Sequence, residues 1–216
     1  MVLTLFTVFA FSQEVIEKRI SSESDKIVIE FNLIDQIQLF NSDSASEIFV
    51  KAEGSIQTPS FQIIEINGYV LLKDFELSSE EVTLDQDKVC SVEPNYTAYQ
   101  IYVPRNKNLY ISVIEGNIYA KNFVGTLNLK VEDGIVKLNG MKDTVSVQLN
   151  SGSVFVHEIR NTKIDAETNL GILVHDLSDE AHKRPEKKLN ETIGDEENSL
   201  LIRTILANIY LYGSKG

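Results

Sequence analysis

Two histidines have a spacing that could place them side by side. His157 and His175 are eighteen residues apart, and Lys121 and Asn139 continue the same spacing towards the N-terminus. Imidazole is a common zinc ligand, but a complete zinc site takes three or four suitable ligands, which this set does not supply. We therefore interpret the positions as a solvent-facing row.

Carboxylates are the second group of candidates. Two acidic clusters, which consist of Asp176, Asp179, Glu180 and of Asp195, Glu196, Glu197, could bind calcium through their oxygens. They lack the fixed Asp and Gly spacing of calcium-binding repeats, so a solvated loop accounts for them. The sequence also has no nucleophile elbow, phosphate-binding loop or zinc-protease motif. It therefore predicts no catalytic residue, no cofactor and no metal site.

The charge balance restricts the partners. The chain has 32 acidic and 20 basic residues and a formal net charge of −12. Such a chain repels the phosphates of nucleic acid and the head groups of anionic lipid. A protein or a glycan is therefore the expected partner. Hydrophobic residues make up 43% of the chain, which is typical of an ordered domain.

The N-terminus is apolar and uncharged over residues 1–12, MVLTLFTVFAFS. This run is too short to span a bilayer, which takes about 20 residues, but it suits an export signal whose basic N-terminal region is missing. The alternative is a buried first strand. Cys90 is the only cysteine, so no internal disulfide is possible, and we assign this residue no role.

Short alternating runs predict an all-β chain. The strand candidates of the first half are residues 27–31, 37–39, 48–50, 63–66, 69–72 and 100–103, with a weaker one at 82–84 inside a loop. Asn67-Gly68 predicts a tight hairpin turn, since both residues readily adopt positive φ. Pro104-Arg105-Asn106 marks a junction.

After this junction the sequence repeats every eighteen residues. Segments begin at Leu109, Leu127, Val145 and Lys163, and the turn pairs Glu115-Gly116, Asp133-Gly134 and Ser151-Gly152 share the spacing. Apolar residues also recur at this spacing and form six rows, which we call ladders: Leu109/Leu127/Val145, Ile111/Leu129/Val147, Val113/Val131/Leu149, Ile118/Val136/Val154/Ile172, Ala120/Leu138/Val156/Val174 and Phe123/Met141/Ile159/Leu177. In the fourth segment the first strand slips by one residue, to Ile164 and Ala166.

An eighteen-residue coil with two short strands cannot bury its apolar face alone, but coils stacked about 4.8 Å apart can. The repeat therefore predicts a parallel β-solenoid over residues 106–216, preceded by an N-terminal β region over residues 13–105. Residues 200–213 form an offset fifth coil beyond the fourth. The charged insertion at residues 178–198 is an extruded loop or, less favoured, a degraded coil with Leu189 and Ile193 inside.

One outward row of this solenoid is partly aromatic. It contains Tyr119, Lys137, Phe155 and Leu173, with Tyr210 beyond. Such a stripe can bind a sugar ring or a partner protein. The alternatives are that the insertion, the N-terminal half or a second copy of the chain covers it.

The passage from Gln100 to Gly140, in which a strand ending in Val-Pro leads into repeated strand-Gly-strand units, resembles the bacterial putative-adhesin families of unknown function, including the auto-transporter adhesin head domains. The resemblance implies a right-handed parallel β-solenoid, an exported location and no catalytic residues.

Together these observations predict a non-enzymatic exported envelope protein, in the periplasm, on the outer surface or secreted. It would act as an adhesin-like or structural module for a protein or glycan partner. The alternatives are a carbohydrate-active β-helix enzyme and an extracytoplasmic sensor module, although the chain lacks the membrane span that a sensor normally needs. A homo-oligomer is also possible.

Overall fold

The computed structural model describes residues 15–54, 59–74, 96–177 and 185–214. Their regular structure is entirely β, which confirms the all-β prediction. The strands are β1 (Val15–Ser21), β2 (Lys26–Asn41), β3 (Glu47–Gly54), β4 (Phe61–Ile66), β5 (Tyr69–Asp74), β6 (Thr97–Val103), β7 (Lys107–Lys121), β8 (Gly125–Asn139), β9 (Thr144–Ile159), β10 (Thr162–Thr168), β11 (Leu173–His175), β12 (Lys188–Ile193), β13 (Asn198–Thr204) and β14 (Asn208–Gly213). The predicted export signal, Cys90 and the candidate strand at 82–84 lie outside the described residues.

The strands form one large mixed sheet with the order β1-β3-β6-β2-β7-β8-β9-β13-β10-β12. Its centre is parallel, from β6 to β10, and both ends are antiparallel. Beside this path, β5 and β4 continue from the first half of β2, while β14 and β11 continue from the second half of β9. None of the described residues belongs to a helix long and apolar enough to cross a membrane.

The eighteen-residue spacing sets the register of the parallel centre. Leu127 pairs with Leu109 on one side and with Val145 on the other, and Val136 pairs likewise with Ile118 and Val154. All six side chains are buried. We call each of the stacked units β2, β7, β8, β9, β13–β14 and β10–β11 a layer. The predicted repeat is confirmed as a pairing register for β7, β8 and β9.

The strand candidates within the described residues are strands, and the predicted hairpin is confirmed. Ile66 pairs with Tyr69 across the turn, where Asn67 and Gly68 have φ values of 50° and 78°. Positive φ at both central residues gives a turn whose twist matches that of the flanking strands.

The order of the last layers differs from the prediction. The C-terminal layer β13–β14 does not lie beyond the fourth repeat; it is inserted between β9 and β10–β11. Leu200 is thus paired with Val145 on one side and with Ile164 on the other. Leu200 of β13 follows Ile164 of β10 by 36 residues, which is two repeats of eighteen. The layers β13–β14 and β10–β11 therefore have the same register relative to β9. Because of this shared register, β13–β14 can take the place next to β9.

In the second strand of the fourth repeat, Ile172 and Val174 were predicted to be buried, and this prediction was wrong by one residue. Leu173 has no exposed surface, whereas Ile172 is 37% exposed and Val174 is only half-buried. The slip seen at Ile164 therefore continues to β11. A slip of one residue moves every side chain of a strand to the opposite face of the sheet.

The loop interpretation of residues 178–198 was also wrong for the part that the structure describes. β12 runs antiparallel to β10 and places Leu189 opposite Ala166, where Leu189 is buried. Since β12 is antiparallel, it is not a degraded coil either. Its charged side chains, such as Lys188 and Glu191, occupy the last strand of the sheet path, where charge discourages pairing with another chain.

Candidate functional site

Four of the five residues of the predicted stripe lie in one outward row. Lys137 pairs with Tyr119 and with Phe155, and Phe155 pairs with Tyr210. Leu173 was a wrong assignment, because it points into the core. Val174 stands in its place, opposite Tyr210.

The side chains of this row are ordered by contacts with one another. The rings of Phe155 and Tyr210 are stacked with centroids 4.8 Å apart and planes 9° from parallel. The Lys137 ammonium lies over both neighbouring rings, 5.5 Å from the centroid of Tyr119 and 5.8 Å from that of Phe155. Each such contact contributes about 0.5–1.5 kcal/mol, so the row keeps one arrangement.

A second aromatic row runs beside the first. The ring of Tyr102 is stacked on Phe40 at 4.8 Å and lies 5.4 Å from Phe49, over which the guanidinium of Arg19 lies at 4.4 Å. At the other end of the row, His157 and Tyr212 are stacked at 4.5 Å. We call both rows together the aromatic face; it consists of Phe40, Phe49, Tyr102, Tyr119, Phe155, His157, Tyr210 and Tyr212, with Lys121 and Lys137 among them.

Sequence analysis missed most of the second row. The row joins the strands β3, β6 and β2, which do not share the eighteen-residue spacing. One signal was present at its other end: Tyr212 follows His157 by the same interval by which Leu200 follows Val145. Applying that offset to the predicted outward row would have placed Tyr212 next to His157.

The part of the aromatic face on β2, β7, β8, β9 and β14 differs in charge from the chain as a whole, whereas on β3 Glu47 and Glu53 alternate with Phe49. On the second halves of β2, β7, β8 and β9 and on β14, the outward positions are Gln36, Gln38, Phe40, Asn117, Tyr119, Lys121, Ile135, Lys137, Asn139, Ser153, Phe155, His157, Asn208, Tyr210 and Tyr212. None of these positions in the described strands is acidic, although the chain has a net charge of −12. Exposed carboxylates begin at the two edges, with Glu115 and Asp133 on one side and Glu158 on the other.

The structure does not bring the two histidines together. His157 is exposed in the second row, whereas His175 is 6% exposed and pairs with Leu211 of the inserted layer. The predicted solvent-facing row therefore holds for Lys121, Asn139 and His157 and was wrong at His175, and the two histidines do not form a metal site. Within the ranges that the structure describes, no three His, Cys, Asp or Glu side chains form a group that could hold a metal.

The acidic candidates for calcium have other contacts. Glu196 accepts a hydrogen bond from Thr192 and Glu197 one from Asn161. Asp176 accepts one from the backbone N–H of Gly213. Asp179 and Glu180 lie outside the described residues.

The first halves of β8 and β9, together with β10 and β13, form a groove of about 450 Å³, lined among others by Lys130, Gln148, Glu167 and Arg203. Beside it, the Arg203 guanidinium lies 2.6 Å from a carboxylate oxygen of Asp165. The hydrogen bond from Arg203 holds the pKa of Asp165 below its ordinary value. Asp165 is therefore a structural ion-pair partner between β10 and β13, ionised at neutral pH.

This ion pair predicts a pH-dependent contribution to stability. A carboxyl whose pKa is lower in the folded state stabilises the fold above its ordinary pKa, near 4, and loses that effect as the pH falls through the folded value. We expect Asp165→Asn to lower the free energy of unfolding by at most about 1 kcal/mol at pH 7, because the pair is partly exposed. Urea unfolding over a series of pH values from 7 downwards should show this difference at pH 7 and its progressive loss in acid, as Asp165 becomes protonated in the folded state as well. A difference that persists in acid would contradict the ion-pair assignment.

Comparison with known proteins gives similarity at the level of the fold. No protein-family model matches the sequence, and no curated protein matches it. A "putative cell adhesion protein" from Clostridium sporogenes superposes with a TM-score of 0.60 at 16% identity, over 93% of this chain and 100% of that one. A "putative adhesin" from Bacteroides fragilis gives a TM-score of 0.39 at 12% identity, over 93% and 98% of the two chains. Of these two, only the first is similar enough to support an argument, and the chain therefore shares its fold with the Clostridium protein.

Proposed function

We propose that this chain is a non-enzymatic, exported module of the bacterial cell envelope that binds a glycan or protein partner through its aromatic face. Its location would be the periplasm, the outer surface or the medium. The observation that carries the proposal is the aromatic face itself. Folded monomers seldom leave a contiguous apolar surface without a use, and here the rings stand on a continuous sheet that holds them in fixed positions.

Two further observations support binding over catalysis. The hydrogen bond from Arg203 lowers the pKa of Asp165, which suits an ion pair and not a general acid. The Clostridium sporogenes protein, with which this chain shares its fold, is named for cell adhesion, and we extend that role to this chain. Both points weigh against the alternative of a polysaccharide-acting enzyme.

The proposed architecture is a right-handed parallel β-solenoid over residues 106–216, joined to the β region of residues 13–105. The parallel register of eighteen residues between β7, β8 and β9 supports it. The bends at Gly116, Gly134 and Gly152 also support this architecture, because the half-strands before and after each bend both contribute buried apolar side chains that stack from layer to layer. A solenoid would give the aromatic face the flat, repeating shape that a long partner requires.

The binding role predicts that the double variant Phe155→Thr and Tyr210→Thr loses affinity for the envelope. Threonine keeps the preference for a strand while it removes the ring stack. Purified chain is incubated with the insoluble envelope of the native host, and the bound fraction is measured after sedimentation. We expect at least a tenfold loss of affinity, as is typical when central aromatic contacts are removed.

Leu201→Thr is the matched control, because Leu201 is partly exposed on the outward face of β13, where it pairs with Ser146. It should bind like the parent chain. Melting temperatures are compared first, so that a loss of folding is not mistaken for a loss of binding. Equal retention of parent and double variant would contradict the proposal.

Sedimentation velocity tests the alternative that the chain forms a homo-oligomer. If the parent chain and Leu201→Thr were dimers and the double variant were a monomer, a second copy of the chain would cover the aromatic face.

A further inference from the structure

Two rings at the centre of the aromatic face, those of Phe155 and Tyr102, have a neighbour on each side and turn their edges to the solvent. Phe155 has Tyr210 on one face and the Lys137 ammonium on the other. Tyr102 lies between Phe40 and Phe49 in the same way. A sugar that stacks on an aromatic ring needs a free ring face, so stacking is not the main interaction that this surface offers. The exposed ring edges carry the positive end of the quadrupole and attract oxygen atoms and anions.

Side-chain charge adds to this effect. Lys121 and Lys137 are exposed on the aromatic face, and the fifteen outward positions named above contain no carboxylate. Both lysines lie beside a hollow of about 310 Å³ that is also lined by Gln38, Tyr119 and His157. On a chain with a net charge of −12, the part of the aromatic face on β2, β7, β8, β9 and β14 is therefore locally cationic and complementary to an anion.

The shape of the cationic area selects the kind of anion. The area extends along the stack of layers, but across it the half-strand of five residues from Asn117 to Lys121 spans only about 17 Å. Exposed carboxylates stand at both edges, Glu115 and Asp133 before this half-strand and Glu158 after it. A flat anionic membrane would come within a Debye length, about 8 Å, of both edges and be repelled. A single polymer chain that runs along the stack would stay between them.

We infer that the ligand of the aromatic face is a linear acidic polysaccharide, whose carboxylates pair with Lys121 and Lys137 while its hydroxyl oxygens contact the ring edges. This inference rests on the proposed function and specifies the ligand class for the same surface. A polymer with a charge at regular intervals suits a surface built from layers at regular intervals.

The test compares two forms of one polymer, whose carboxyl groups are either ionised or converted to uncharged methyl esters. Polygalacturonate and its fully methyl-esterified form are titrated into the full chain by calorimetry without divalent cations. We expect binding of the acid form, weaker binding at higher salt, and no detectable binding of the neutral ester. The double variant Lys121→Gln and Lys137→Gln should weaken binding about threefold or more, since exposed ion pairs contribute modestly. Lys130→Gln, on the first half of β8 and outside the aromatic face, is the matched control and should bind like the parent chain.

The possible results separate the ligand class from the proposed function. Equal binding of both polymers, abolished by Phe155→Thr with Tyr210→Thr, would overturn the acidic class and leave a glycan-binding face. Binding of neither polymer would overturn the inference, whereas the envelope assay would still decide the proposed function. Binding of vesicles of phosphatidylglycerol in competition with polygalacturonate would assign the surface to a membrane and overturn the inference as well. If Lys130→Gln weakened binding as much as the double variant Lys121→Gln and Lys137→Gln, the inference would also be overturned, because the binding site would then not be the aromatic face.

Discussion

Replacing Ile202 by asparagine should unfold the chain, whereas the same replacement at the neighbouring Leu201 should be tolerated. The two residues are adjacent on β13 and face opposite sides of the sheet: Ile202 has no exposed surface and Leu201 is 36% exposed. Asparagine is chosen because a carboxylate at position 201 would stand directly opposite Asp165.

The cost at Ile202 has two parts. Its side chain lies between Val147 and Ala166, so its loss removes a central contact between three layers, which costs about 2–5 kcal/mol. The buried amide adds about 1–3 kcal/mol because these neighbours offer its side chain no hydrogen-bond partner. The sum is comparable to the total stability of a domain, about 5–15 kcal/mol. Leu201→Asn should cost about 1 kcal/mol or less.

Urea unfolding followed by circular dichroism measures both variants. We expect no cooperative transition, or a greatly lowered midpoint, for Ile202→Asn and a transition close to that of the parent chain for Leu201→Asn. Similar midpoints for the two variants would contradict the assignment of Ile202 to the interior.

The order of the layers can be tested directly with two disulfides, each in a chain with Cys90 replaced by serine. Ser146 pairs with Leu201, so the pair Ser146→Cys and Leu201→Cys should oxidise readily. Asp165 lies one strand further on, opposite Leu201, and two strand spacings of about 4.8 Å separate it from Ser146. That exceeds the reach of a disulfide, so Ser146→Cys with Asp165→Cys should stay reduced. Bond formation in the second pair only would show that β10 lies directly on β9.

The contrast between the repeat and the layer order shows what a sequence of this kind can specify. The inward columns were predictable, because alternation and the spacing of the bends follow from local geometry. The layer order was not, since Val145 accepts Leu200 or Ile164 as a neighbour with little difference in packing. Both later layers have the same offset of one residue from the register of β7, β8 and β9, so the register alone does not select which of them lies next to β9.

The same reasoning applies to the aromatic face. Tyr119, Lys137 and Phe155 were predictable as an outward row, because they alternate with buried residues in repeats of equal length. Leu173 was misassigned because a slip of one residue reverses the faces of a strand. Phe40 and Tyr102 face each other across strands that no repeat relates, so their contact is a property of the folded sheet alone.

Replacing Gly134 by alanine should cost the chain about 4 kcal/mol or more of its free energy of unfolding. Gly134 has a φ of 150°, which side-chain-bearing residues rarely adopt. A Cβ atom there would also lie far inside the van der Waals radius of the carbonyl oxygen of Gly116, in the layer next to it. This neighbour is backbone, so it cannot yield without disturbing the pairing of β7 with β8.

The variant Gly68→Ala separates the effect of backbone strain at positive φ from the effect of a steric clash with the neighbouring layer. Gly68 also has a positive φ, 78°, but nothing lies within 4 Å of where its Cβ would be. Alanine there should cost only about 1 kcal/mol, through backbone strain. Guanidinium unfolding of both variants therefore measures the contribution of close layer contact at the bend. If Gly134→Ala cost no more than Gly68→Ala, the layers would have to stand further apart at this bend. The glycines at 116, 134 and 152 would then be needed only for their backbone angles, and not to let one layer approach the next.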